Sequence, residues 1–332
     1  MRHPLLIALF ALAGLTAEAA VRANDSAAEQ AVGGLVLTKS DDIDMVSEDL
    51  YVSAREVRVR YVFRNRSPAD VRTIVAFPLP DRDLAVPVES DTSWPADFAT
   101  TVDGRPVRMQ VEHRALLGGV DHSALLRELN VPIAAENIAV AAEEALERLD
   151  RAQQDRLAAL RLIEAVEGES DGRRYLSPRW TVKETWHWEQ VFPAGRDLVV
   201  EHRYTPAVGG TVATGLTHPE FRAGEGMREM AARYCIDSAF LAAVDRAAAR
   251  TGEERPTFDE QWIGYILTTG ANWRAPIGEF RLVVDKGDPG NLVSFCGEGV
   301  QRISPTRFEM RRRNWRPDRD LDILILRPWR PE

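Results

Sequence analysis

Alternation with a period of two is the feature that most restricts what this chain can become. In Glu56-Val57-Arg58-Val59-Arg60-Tyr61-Val62-Phe63-Arg64, residues Val57, Val59, Tyr61 and Phe63 share one face, while Glu56, Arg58, Arg60 and Arg64 share the other. Successive side chains of an extended chain point to opposite sides, so the segment reads as a half-buried antiparallel strand. A turn at Asn65–Asp70 and a second strand at Val71–Phe77, stopped by Pro78-Leu79-Pro80, follow. A further hairpin is expected where Phe98–Val102 and Val107–Val111 flank Asp103-Gly104, a strong turn dipeptide. Trp180–Val191 and Asp197–Tyr204, joined through Gly195, read as another hairpin that rejoins the first sheet.

The period changes after Gly119. Asp121 is placed to cap a short helix through Leu129. From about Ala135 to Glu167 a long helix is expected, its stripe formed by Ala142, Leu146, Leu149, Leu157, Leu160 and Ile163. A helical hairpin inserted at about 120–168 therefore interrupts the strands. The Gly- and Thr-rich stretch from Val208 to Gly226 is the expected domain boundary. Beyond it come a helix from Ser238 to Arg250 and strands near 262–268, 280–284, 292–295, 308–312 and 320–326. The fold class is mainly β, α+β overall: two immunoglobulin-like antiparallel β-sandwich units, 24–212 with the insertion and 213–332 with one helix.

At the other end, Arg2 and His3 precede an apolar run from Leu5 to Leu15 and the small residues around Val21-Arg22-Ala23. About eleven apolar residues are too few to span a bilayer, so 1–23 reads as a cleavable signal peptide, cut after Ala23. A periplasmic or secreted location is the expectation, with no transmembrane segment after cleavage. In that compartment an even cysteine count is most simply one disulfide, Cys235–Cys296. The formal net charge of −9 disfavours nucleic acid as a partner. The tail from Arg302 to Arg330 is a local exception, with nine arginines against four acidic residues and the run Arg311-Arg312-Arg313.

Chemistry is sparse. Among His113, His122, His187, His202 and His218 no pair has zincin spacing, so no metal ligand set and no cofactor are expected. Gly-x-Ser-x-Gly, Walker and dinucleotide motifs are missing, and no catalytic residue is assigned. Trp186, Trp188 and Trp273 are speculative binding residues: Trp186 and Trp188 share a strand face that suits sugar stacking, although core packing suits them as well.

Several long strings are familiar together: Gly33-Gly34-Leu35-Val36-Leu37-Thr38-Lys39-Ser40-Asp41-Asp42-Ile43, Tyr265-Ile266-Leu267-Thr268-Thr269-Gly270-Ala271-Asn272-Trp273 and Val293-Ser294-Phe295-Cys296-Gly297-Glu298-Gly299-Val300. With them the chain resembles a family of exported bacterial proteins carrying a domain of unknown function. The resemblance implies a periplasmic, β-rich protein and transfers no catalytic residue. Two functions follow for testing. One is a non-enzymatic binding or scaffold protein of the cell envelope, its partner a protein or an envelope polymer. The alternative is a hydrolase of envelope material with a site at the domain boundary, built from carboxylates or Cys296.

Overall fold

The strand read at 56–64 is present as Val57–Asn65, with Val57, Val59, Tyr61 and Phe63 buried and Arg58 and Arg60 exposed. The computed structural model describes residues 25–31, 34–85, 96–134, 138–168, 172–250 and 258–329. The expected signal peptide, 1–23, lies outside the described residues. In chain order the elements are β1 (Ser26–Ala31), β2 (Gly34–Thr38), β3 (Ile43–Ser53), β4 (Val57–Asn65), β5 (Val71–Pro78), β6 (Arg82–Asp83), β7 (Ala96–Val102), β8 (Arg105–Pro106), β9 (Gln110–Leu117) and β10 (Val120–Asp121). Helices α1 (Ser123–Glu128), α2 (Ile138–Glu147) and α3 (Arg151–Ala159) come next, then β11 (Ile163–Glu167), β12 (Arg174–Pro178), β13 (Thr181–Phe192), β14 (Asp197–Thr205) and β15 (Gly209–Thr211). The remainder is α4 (Pro219–Ala223), α5 (Glu225–Tyr234), α6 (Ser238–Ala248), β16 (Phe258–Tyr265), β17 (Ile277–Asp285), β18 (Leu292–Phe295), β19 (Gln301–Arg302), β20 (Arg307–Trp315) and β21 (Leu321–Pro328).

The protein is mainly β, built from several sheets whose strands pair antiparallel apart from β17 with β3. A seven-stranded sheet runs β10-β9-β13-β5-β1-β2, with β6 beside β13, and an eight-stranded sheet runs β19-β20-β17-β3-β4-β14-β7-β8. The main core joins Val75, Phe77, Trp188 and Phe192 of the first to Leu50, Val59, Tyr61, Phe63, Val200 and Leu282 of the second. A four-stranded sheet, β15-β16-β21-β18, adds Ile263, Tyr265, Leu321, Ile323 and Ile325 to that core. Its opposite face gives Phe258, Leu324 and Leu326 to a second cluster under α5 and α6. This explains the unbroken apolar run in β21: a strand covered on both faces does not alternate.

Position 212 does not separate these layers. β17 pairs in parallel with β3 from Glu279↔Ser47 to Asp285↔Ser53, so strands from both sides of the expected boundary share the eight-stranded sheet. Gly278 permits the approach, since an added Cβ would stand 2.5 Å from the carbonyl oxygen of Val46.

Three local expectations change. The Asp103-Gly104 turn forms, with both residues at positive φ, but its return strand is only β8. The chain then leaves for the other sheet as β9, which pairs with β13. Similarly, β13 and β14 belong to different sheets, so Pro193–Arg196 is a crossing and not a hairpin. The long helix is two helices and a strand. Asp150 and Gln153 form a reciprocal capping box that starts α3 afresh, and β11 pairs with β12 beyond it. The insertion has its own core, Leu126, Ile138, Leu146, Leu157 and Trp180, packed on Ala115 and Val182 of β9 and β13. Because β9 and β13 pair directly, the strands flanking the insertion share one sheet.

Crossings between layers leave backbone groups without ladder partners, and Asn65 takes up two of them. Fully buried, it donates through Nδ2 to the carbonyls of Ala69 and Phe192, 2.8 Å each, and so ties the β4–β5 crossing to the β13–β14 crossing. Asn65→Ala leaves both carbonyls unsatisfied, and a loss of about 2–3 kcal/mol is expected in urea unfolding. The Cys235–Cys296 disulfide, 61 residues apart in sequence, ties the end of α5 to the end of β18. Thiol alkylation of the oxidised protein is expected to find no reactive cysteine. The double substitution Cys235→Ser, Cys296→Ser is expected to cost about 4 kcal/mol by the chain-entropy model, read as a lower denaturant midpoint.

Candidate functional site

Only one face of the eight-stranded sheet meets the core. Register brings the other face together in rows. Arg311, Arg281, Asp49, Arg60, Glu201 and Thr101 lie in one row across β20, β17, β3, β4, β14 and β7. Glu309, Val283, Tyr51, Arg58, Arg203 and Ala99 form the next, and Arg307, Asp285 and Ser53 a third. Part of this face is a trough of about 590 Å³ lined by Arg58, Arg60, Arg203, Arg281 and Arg307, against two carboxylates, Asp49 and Glu201.

These guanidinium groups are held from behind. Arg58 meets Glu56 through Nε at 3.0 Å, Arg60 meets Glu201 through Nε at 3.7 Å, and Arg307 meets Asp285 through Nε at 2.8 Å. Arg203 also reaches Glu56 through Nε, and Arg281 reaches Glu309 through Nε and Asp49 through Nη1. A contact made through Nε orients a guanidinium while its Nη groups keep donors for a planar oxyanion. Most of these side chains are half-exposed, so each pair by itself is worth little to stability. Arg58 also lies 4.5 Å from the centroid of the Tyr51 ring, a cation–π contact that steadies the middle of the trough.

Tyr51 is the wall shared with a second cleft of about 810 Å³, where the β3–β4 turn, the 285–291 loop and the ends of β16 and β21 meet. At the junction Asp285 accepts from the Tyr51 hydroxyl at 3.0 Å, from Arg307 Nε at 2.8 Å and from Gly287 N at 3.0 Å. Burial pushes this carboxyl up, but those donors outweigh it and hold it below the usual carboxylate range. Lys286 is buried nearby and donates through Nζ to the carbonyls of Pro289 and Asn291. Burial lowers its pKa, and the neighbouring Arg302 charge adds to that. Asp259 faces Arg327 at 3.4 Å across the same cleft.

The residues singled out in the sequence lie elsewhere. Trp188 and Trp273 are core side chains. Trp273 packs on Phe63 and donates to the carbonyl of Asp25 at 2.7 Å, and Trp188 donates to Gln190. Trp186 is partly buried, stacked on Phe98 at 4.8 Å, with its Nε1 on Glu184. Their ring faces are committed to packing. Cys296 is bonded to Cys235, so it offers no thiol. His113 pairs with Glu184 and His202 with Asp25, so the two histidines do not share a ligand. Thr100, His202 and Asp25 are linked as a Thr–His–Asp chain, 2.8 Å at Nδ1 and 3.0 Å at Nε2. All three side chains are buried. Asp25 is raised by burial, opposed by His202. Among the described residues no group of three or more His, Cys, Asp or Glu side chains is arranged to hold a metal ion, and no helix is long and apolar enough to cross a membrane.

Sequence reading missed the trough because period-two alternation shows only that Arg58 and Arg60 point away from the core. The Arg311-Arg312-Arg313 run was the nearest signal. It splits, with Arg311 on the trough face and Arg312 turned to Glu298 at 2.9 Å.

A family model described as Domain of unknown function (DUF4424) matches residues 23–324, and the chain belongs to that family. No curated protein matches the sequence. Solved structures include that of a candidate nutrient binding protein from Legionella pneumophila subsp. pneumophila str. Philadelphia 1, to which this chain is similar at 15% identity and a TM-score of 0.42, over 91% of this chain and 72% of that one. A likeness that distant carries no functional argument.

Asp285 yields a pH prediction. Its folded pKa is below the unfolded value, so its contribution is fully present above the ordinary carboxylate range and is lost as pH falls through the folded pKa. Asp285→Asn is expected to lower unfolding free energy by about 1–3 kcal/mol at pH 7, the scale of hydrogen bonds to a charged group. The difference from the parent protein should start to narrow below about pH 4, where the unfolded chain's carboxyl takes up its proton, and close as pH falls through the lower folded pKa. Parallel urea titrations at pH 7 and pH 3 measure it.

Proposed function

We propose that this member of the DUF4424 family is an exported, non-enzymatic binding or scaffold protein of the cell envelope, and that the trough on the open face of its eight-stranded sheet receives an anionic group of its ligand. The observation that carries the reading is the gathering of five arginines on one sheet face, Arg58, Arg60, Arg203, Arg281 and Arg307, each oriented by a neighbouring carboxylate, in a chain with a net charge of −9. Guanidinium groups held together in this way keep Nη donors free to meet an oxyanion. Export is supported by the apolar run from Leu5 to Leu15 with its small-residue flank, and a disulfide suits an oxidising compartment. The facing antiparallel layers are compatible with an immunoglobulin-like packing, a scaffold that commonly presents ligand sites on exposed faces and loops.

Hydrolysis is the weaker reading. In the cleft beside Tyr51, Glu56 is held by Arg58 and Arg203, Asp259 by Arg327, and Asp285 is pushed below the usual range. A general acid needs a carboxyl displaced upward instead.

The mature protein is expected to bind long-chain polyphosphate or polyglutamate at low salt and not neutral dextran, by isothermal titration. Arg58→Gln together with Arg60→Gln should weaken that binding roughly 10-fold or more, at about 1.5–3 kcal/mol for each charged hydrogen bond lost. Equal binding of dextran, or an unaffected double variant, would remove the reading.

A further inference from the structure

Like charges directly opposite one another on a sheet repel, and natural strands usually pair them with opposite charges. This face breaks that pattern twice, in the same way. Arg58 and Arg203 are register partners on β4 and β14, and both reach a single carboxylate, Glu56. Arg281 and Arg311 are register partners on β17 and β20, and both reach a single carboxylate, Glu309, at 2.8 and 2.9 Å. In each cluster two guanidinium groups share one carboxylate, and Arg311 holds Glu309 through both Nε and Nη2. Arg281 has a second contact in Asp49.

β3 runs between the clusters. With strands about 4.8 Å apart and residues two apart on a strand about 6.8 Å apart, their centres are separated by roughly 15 Å. One carboxylate or phosphate is too small to touch both. The ground between them carries the Tyr51 ring, with Arg58 above it, Val283, and the register pair Asp49 and Arg60 of the adjacent row.

From this repeated arrangement we infer that the open face has two oxyanion seats, Arg58/Arg203 inside the trough and Arg281/Arg311 at its β20 edge, and that its ligand is an extended oligomer presenting oxyanion groups at two points roughly 15 Å apart. The inference rests on the anion-binding reading given above and specifies its ligand as a chain with repeated carboxylates or phosphates, not a single small anion. Binding of one end turns the second contact into an intramolecular step, so affinity rises steeply once the chain is long enough to reach. An extended peptide spans the gap with about five residues.

A length series tests this. Diglutamate and octaglutamate, and inorganic phosphate and long-chain polyphosphate, are titrated into the mature protein, into Arg203→Gln and into Arg311→Gln at low salt. The long member of at least one series is expected to bind about 100-fold tighter than its short member, and either substitution alone should abolish most of that gain. The series showing the gain identifies carboxylate or phosphate as the group recognised. If short and long members bind alike, or only one substitution matters, the open face has a single seat, and the two-seat inference is overturned while the anion-binding reading survives. If no member of either series binds, both fall. Circular dichroism of the two variants, whose altered side chains are exposed, separates lost binding from lost folding.

Discussion

The parallel pairing of β17 with β3 is the contact on which the rest of the molecule depends. Without it the C-terminal strands would form a separate sheet, and the open face would lose the row that runs from Arg311 to Thr101. The pairing also closes the main core, since Leu282 and Val284 enter it beside Leu50 and Val52. A parallel ladder needs a long connection, and more than 200 residues separate these two strands in sequence. The loop-closure cost grows only slowly with such length, and a core of this size can bear it. Gly278 leaves out a Cβ that would obstruct the approach at the start of β17.

Inside that core sits a polar group of side chains that a purely apolar packing would not need. Tyr61 and Tyr265 share a hydrogen bond at 2.8 Å, and burial raises both phenols well above their usual range. His202 has both ring nitrogens engaged, by Thr100 and Asp25, and Asn272 donates to Ser26. The contacts of Asp25 and Ser26 hold the start of β1 against the middle of the molecule, with the indole of Trp273 on the Asp25 carbonyl. Partnered groups of this kind cost less to bury and fix one arrangement of the layers.

On the outer face the same sheet geometry sets the charge pattern of the proposed site. Strand spacing and register set the distances between guanidinium groups, and carboxylates of the β3–β4 turn and of neighbouring strands orient those groups through Nε. The site is therefore built on the rigid element of the fold, with the Asp285 junction joining it to the cleft at the sheet ends. Placing a binding surface on paired strands keeps its charges at fixed separation, which suits a ligand whose own charges repeat.

Sequence by itself determined which residues face inward. The alternation at Val57–Phe63, the uninterrupted run in β21, the helix at Ser238 and the cysteine pair were each legible, because side-chain period and composition are local properties. Helix breaks within 135–167 were partly legible too, since Asp150 and Gln153 carry a capping signal that the apolar stripe concealed. Partner choice was not legible. A period of two says which face a residue occupies and nothing about which strand lies beside it, so β13 and β14 resemble a hairpin and yet enter different sheets. For the same reason Arg58 and Arg203, or Arg281 and Arg311, look like ordinary solvated positions until register sets them opposite one another. Only the tertiary structure decided that, because non-local pairing is fixed by how the buried faces close on a common core.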